Sequence, residues 1–211
     1  MLVKRVIPIF LVIVAAVSLD ALASPTLDQS HLGSDDLMET IYNNRQLAQT
    51  FTVGIAGTLD SVVLDLIYDQ EAPTYDITVE LRTTTGGLPD WPANSLASVQ
   101  FNTSVLTTTF ALYSVDFSSS SVPVSVGDQL AIVLISQDDS DHAASWHIAY
   151  NNPYSGGQFY DDLGTGTTWD TKDYDAYFQT YVEPSVIPAP AALHLVVIGF
   201  SYFVLQRRKF V

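Results

Sequence analysis

Cysteine is absent from all 211 residues. No disulfide can staple this chain and no thiolate can act as nucleophile or zinc ligand, so burial of apolar groups must hold the fold. Basic residues are scarce: eight against 23 acidic ones. Five of the eight lie at the ends (Lys4, Arg5, Arg207, Arg208, Lys209), leaving Arg45, Arg82 and Lys172 for residues 24–185. That body carries 22 acidic residues against three basic, a net charge of −19. Such a domain repels nucleic acid and anionic lipid headgroups and attracts cations, Ca²⁺ among them. No repeat of fixed period and no long amphipathic helical pattern occurs. The Gly-x-Ser-x-Gly elbow, the His-Glu-x-x-His helix and the EF-hand loop are missing too. The body's histidines outside its irregular start are His142 and His147; Glu71 and Glu80 are its mid-chain glutamates. A glycoside hydrolase needs two carboxyls across a cleft, and Glu80 reads instead as an ion-pairing residue on the wet face of a strand. The chain therefore reads as a non-enzyme, with a hydrolase as the weakest alternative.

Apolar runs of more than a dozen residues are confined to the two ends. Lys4 and Arg5 precede an apolar stretch, Val6 to Leu19, and Ala21-Leu22-Ala23 follows as a small-x-small site. This predicts a signal peptide over residues 1–23, cleaved by signal peptidase between Ala23 and Ser24; an uncleaved anchor is the competing reading. At the other end, Val186 to Leu205 is 20 residues without a formal charge. At about 1.5 Å per residue such a helix just spans a hydrocarbon core. Pro188 and Pro190 sit at its start, where a helix tolerates proline best. Arg207, Arg208 and Lys209 follow and should stay inside the cytoplasm. The expected span is 188–205, with the body outside; a buried core helix is the alternative.

Pro188-Ala189-Pro190, the apolar run and the Arg-rich end together resemble the PEP-CTERM sorting signal of Gram-negative bacteria. Ile187-Pro188-Ala189-Pro190-Ala191-Ala192-Leu193 is similar to its Val-Pro-Leu-Pro-Ala-Ala variant, with Ala189 where the main pattern has glutamate. The resemblance covers 186–211. It implies recognition by an inner-membrane exosortase, first as a membrane-anchored form facing the periplasm. Release to the cell surface or an exopolysaccharide (biofilm) matrix would follow.

The body reads as strands. In Tyr75 to Arg82, Tyr75, Ile77, Val79 and Leu81 point one way, and Asp76, Thr78, Glu80 and Arg82 the other, the period of a sheet with one wet face. Gly86-Gly87-Leu88-Pro89 ends it. Alternation or β-rich composition marks further strands at 49–53, 62–68, 96–101, 110–117, 122–126, 145–150 and 176–182; Leu130 to Ile135, apolar throughout, reads as a central strand. Eight or more short strands predict an all-β fold, an antiparallel sandwich over 46–183, with a closed barrel as the alternative. Residues 24–45 lack a clear period and read as a lead-in.

The run Ala48 to Gly54 followed by Gly57 to Val62 is similar to the opening of bacterial choice-of-anchor β-sandwich domains. Thr85-Gly86-Gly87-Leu88-Pro89, Val126 to Leu130, and Asn152-Pro153-Tyr154-Ser155-Gly156-Gly157 extend the resemblance over roughly residues 46–182. It implies a jelly-roll-like module and assigns no catalytic residue.

Two sets of side chains could carry binding. Trp146, Tyr150, Tyr154, Tyr160 and Trp169 could stack on sugar rings; packing in the core is the alternative use of the same residues. Asp138, Asp139, Asp141, Asp161 and Asp162 could converge on a Ca²⁺ ion, which takes six to eight oxygens; otherwise they are a solvated acidic surface. No other cofactor is expected. The functional expectation is an exported surface or matrix protein with a structural or interaction role. A lectin-like carbohydrate-binding module is second.

Overall fold

The computed structural model describes residues 24–33, 37–43, 45–91, 95–150, 153–162 and 168–185. Residues 1–23, expected to be a signal peptide, and 186–211, expected to be a sorting tail, lie outside the described residues. Among those described, no helix is long and apolar enough to cross a membrane.

The chain folds into two curled antiparallel sheets stacked as a β-sandwich. The first sheet holds β1 (Thr26–His31), β2 (Leu37–Ile41), β4 (Gly57–Tyr68), β8 (Ala111–Asp116), β9 (Val122–Val124), β11 (Ala144–Ala149), β14 (Asp175–Ala176) and β15 (Phe178–Pro184). The second holds β3 (Gln46–Thr52), β5 (Ile77–Thr85), β6 (Leu88–Pro89), β7 (Ser95–Phe101), β10 (Gln129–Ile135), β12 (Phe159–Asp162) and β13 (Asp170–Thr171). Residues 24–45, expected to be a lead-in, supply β1, paired with β15, and β2, paired with β11.

The core forms where alternate side chains of both sheets meet. Val62, Leu64 and Leu66 of β4 and Trp146 and Ile148 of β11 share it with Leu47 and Phe51 of β3, Val79 and Leu81 of β5, and Ile132 and Leu134 of β10. Each such side chain contributes roughly 1.5–3 kcal/mol on burial, which is how the fold manages without cross-links. One polar residue shares the inward face of β3. Gln49 donates from Nε2 to Asp175 Oδ1 (2.9 Å) and accepts at Oε1 from the Ala176 N–H (2.8 Å), clamping the second sheet to the first. Asp175 Oδ2 accepts from the Tyr154 N–H (3.0 Å), so both carboxylate oxygens are bonded.

The first sheet forks at Tyr177. β4 pairs with β15 over Gly57–Leu64 and with β11 over Leu66–Tyr68. At the fork the Tyr177 N–H donates to the His147 carbonyl (2.9 Å), and the Tyr177 carbonyl accepts from the Trp146 indole N–H (2.9 Å). β15 lies inside the sheet, between β1 and β4. Because β1 runs antiparallel to it, with Thr26 opposite Val182, the chain enters and leaves the sandwich at one end.

Candidate functional site

An open groove of about 580 Å³ lies on the second sheet. Thr85, Leu88, Pro89, Asp90 and Trp91 line it, together with Thr168 and Trp169. Its first wall is built by a hairpin. Gly86 and Gly87 both have positive φ (63° and 88°), the conformation of the two-residue hairpin turn that glycine fills without strain. The turn folds β6 back on β5, with Thr84 opposite Pro89 and Thr85 opposite Leu88. The Asp90 N–H continues the pairing by donating to the Thr83 carbonyl (2.9 Å). β5 then resumes pairing with β7, Arg82 opposite Ser95, so β6 and β7 are one interrupted neighbour of β5. Trp91 sits at the interruption and is 47% exposed.

The second wall lies over the sheet's outer face. Ala48, Ala131, Val133 and Tyr160 form a buried cluster there, and Ile135 and Trp169 pack against it. The small alanines leave room for the indole. The sheet curls enough to bring the hairpin over this cluster: a β-carbon added to Gly87 would lie 3.9 Å from the Tyr160 hydroxyl. Burial pushes the Tyr160 phenol above its ordinary pKa, so it is a neutral hydroxyl at physiological pH.

Beside the first wall lies Arg82, expected on a wet face but 0% exposed. Its Nε pairs with Glu80 Oε2 at 2.7 Å. Nη1 donates to the Asp90 carbonyl (3.3 Å) and Nη2 to Gln46 Oε1 (3.4 Å). The face is dry here because the guanidinium spends its donors on protein acceptors, the only way a cation is kept cheaply out of water. Thr83 Oγ1 donates to Asp90 Oδ2 (2.6 Å). Asp90 is thus fixed at its N–H, its carbonyl and one carboxylate oxygen, while Oδ1 receives no hydrogen bond from the described residues.

The aromatic residues singled out in the sequence do not form one face. Trp146 is 0% exposed, edge-on to Phe159 in the core, and cannot stack on a ligand. Tyr160 is buried on the outer face of the second sheet, beneath the hairpin. Tyr154 is half-buried, donates its hydroxyl to Gln29 Oε1 (2.7 Å), and is pushed up to about 12 by burial. Tyr150 is exposed but leans on Tyr174, ring centres 4.8 Å apart. Of the five, only Trp169 lines the groove.

The aspartates are also dispersed. Asp138 is buried and accepts from the Thr74 N–H (3.0 Å), the Thr74 hydroxyl (2.5 Å) and the Tyr75 N–H (3.2 Å). Asp139 Oδ1 accepts from the Asp141 N–H (3.1 Å) and meets the His142 ring at 2.9 Å. Hydrogen bonding between them holds the Asp139 carboxyl below its ordinary pKa and raises the His142 imidazole. Asp141 is exposed at the tip of the same loop. Asp161 is buried between Arg45 Nη2 (2.9 Å) and Lys172 Nζ (2.9 Å), and Asp162 is buried beside it. Glu39 completes the cluster, accepting from Arg45 (2.5 Å) and from the Tyr174 hydroxyl. Burial would depress the Arg45 guanidinium, but Asp161 and Glu39 outweigh that and hold it above its usual pKa. Among the described residues, no three His, Asp or Glu side chains converge so as to hold a metal ion.

Sequence reasoning missed Trp91 and Asp90. One signal was available: Asp90-Trp91-Pro92 follows a Gly-Gly turn, and a tryptophan before a proline in a turn-rich stretch is poorly placed for a strand core. Neither a protein-family model nor a curated protein matches this sequence.

Proposed function

We propose that this is an exported protein with a structural or interaction role at the cell surface or in an exopolysaccharide matrix. It is built as a jelly-roll-like sandwich and sorted by a membrane-spanning tail through an exosortase. The carrying observation is the Thr26–Val182 pairing, which brings both ends of the body to one end of the sandwich. A signal segment and a membrane tail attached there would face the same bilayer and leave the rest of the domain pointing away from it. The charge distribution supports the reading. All three cations of the body are engaged in ion pairs with acidic side chains, at Arg45, Arg82 and Lys172. The remaining charge is overwhelmingly negative, which keeps a domain soluble in a hydrated polymer.

Mass spectrometry of the protein from its native cells tests this. A mature N-terminus at Ser24 and loss of the tail near Pro188 are expected, and neutralising Arg207, Arg208 and Lys209 should impair surface display. Intact full-length chain recovered from cytosol would overturn it. The Trp91–Trp169 groove favours a second reading, a carbohydrate-binding module; the assignment of the chain as a non-enzyme goes with both.

A further inference from the structure

We infer that the groove between Trp91 and Trp169 binds an uncharged polysaccharide, with Asp90 as the acceptor that orients its hydroxyls. This rests on the carbohydrate-binding reading and commits it to a place and a substrate class. The place differs from the aromatic cluster suggested by the sequence, because Trp146 is in the core and Tyr160 is beneath the surface.

Three observations point to a sugar. The groove, at about 580 Å³, falls within the range of roughly 300–1,000 Å³ typical of small-ligand sites. Two indoles line it, Trp91 half open to solvent and Trp169 resting on the alanine floor. Flat aromatic faces take the C–H side of a pyranose ring, burying apolar area without demanding charge. The same lining holds groups suited to the hydroxyl edge. Thr85 and Thr168 line the groove, and among the described residues none donates to Asp90 Oδ1, while Thr83 Oγ1 donates to Oδ2 at 2.6 Å. A carboxylate fixed in this way can accept from sugar hydroxyls without losing side-chain freedom on binding, which favours affinity.

The charge of the ligand follows from what the groove lacks. A uronate, sulfate or phosphate would need a cation, and the described lining residues include none. Arg82, the nearest basic residue in sequence, is sealed from solvent and already paired with Glu80 at 2.7 Å. It acts on the site only by holding the Asp90 carbonyl, and so is a positioning residue. The body's net charge of −19 adds long-range repulsion of any acidic polymer.

The test uses the full-length chain in a detergent without a sugar head group, since maltosides would compete. Titration calorimetry and tryptophan fluorescence would follow binding of neutral hexasaccharides (β-1,3-glucan, β-1,4-glucan and mannan series). Oligomers of alginate and polygalacturonate form the acidic arm. At least one neutral series should bind at millimolar concentration or better, and the acidic oligomers should not. Trp91→Ala should weaken binding about tenfold or more. It should leave the melting temperature unchanged, because the side chain is half exposed. Asp90→Asn should weaken it by a similar factor, while Tyr150→Ala, at an exposed aromatic outside the groove, should leave it intact. Silence from every oligomer would remove the carbohydrate-binding reading itself. Binding of acidic oligomers with equal or greater affinity would overturn the uncharged class but keep the site. Neutral binding indifferent to both Trp91→Ala and Asp90→Asn would overturn the groove as its location.

Discussion

Asp138 and Asp161 are both buried carboxylates, and they are neutralised by different means. Asp138 accepts from two backbone N–H groups and a hydroxyl of Thr74 and Tyr75, tying that loop to the one before β11. Asp161 stands between two full positive charges, Arg45 and Lys172, each at 2.9 Å. Neutral donors freed by mutation near the surface can turn to water, and Tyr75 beside Asp138 is already exposed. Arg45 is mostly covered, its side chain only 12% exposed, and would keep Glu39 as its remaining partner, so its charge has less recourse to water than the Asp138 donors have. The same residue type in two acidic stretches therefore carries unequal weight, set by the partner and not by the acid.

The largest effect should come from Asp161→Ala. Breaking a buried ion pair from one side costs about 3–5 kcal/mol, and chemical denaturation should show it as a drop in midpoint at unchanged m-value. Asp138→Ala should cost less, about 1–3 kcal/mol for donors left unsatisfied; a loss equal to that of Asp161→Ala would abolish the contrast.

His31 supplies a third case, smaller still, in which burial is not compensated. It is buried against the Tyr154 and Tyr177 rings, and its Nε2 has no hydrogen-bond partner among the described residues. Desolvation lowers its pKa, with the Asp175 carboxylate opposing the shift. Above the unfolded-state value of about 6.5 the ring is neutral in both states and pH has no effect through it. As pH falls below that, the unfolded chain takes up a proton that the folded one resists. Stability is lost until the folded-state pKa is passed. The wild type should therefore lose more melting temperature than His31→Phe between pH 7 and pH 5. Equal losses would show that Asp175 cancels the desolvation.

Most of the fold was legible because most strands alternate. β5 and β10 were readable from Ile77, Val79 and Leu81 and from the unbroken run Leu130–Ile135. β1 and β2 were not, since Thr26–His31 and Leu37–Ile41 owe their place to pairing with β15 and β11 and carry no apolar period of their own. β12 escaped for another reason: Phe159-Tyr160-Asp161-Asp162 ends in two acids that look like loop, and only Arg45 and Lys172, distant in sequence, make Asp161 affordable inside. The aromatic signal misled in the same manner. Trp146 and Tyr160 look available for stacking until topology places one between the sheets and the other under a hairpin. Trp169 was found by composition; the Gly86-Gly87 turn and Trp91-Pro92 hinted at Trp91 and Asp90, but their meeting with Trp169 is a long-range outcome of the sheet's curl. The close approach at Gly157, where a β-carbon would collide with the Thr50 carbonyl, accounts for glycine at the end of the Asn-Pro-Tyr-Ser-Gly-Gly stretch.

The last strand, β15, is hydrogen-bonded on both flanks, to β1 and to β4. A force applied at Ser185 would therefore load two ladders together instead of peeling one from a free border. Whatever tethers this domain by its carboxyl end would pull on a strand held on both sides, and extraction would require the amino-terminal strand to give way as well.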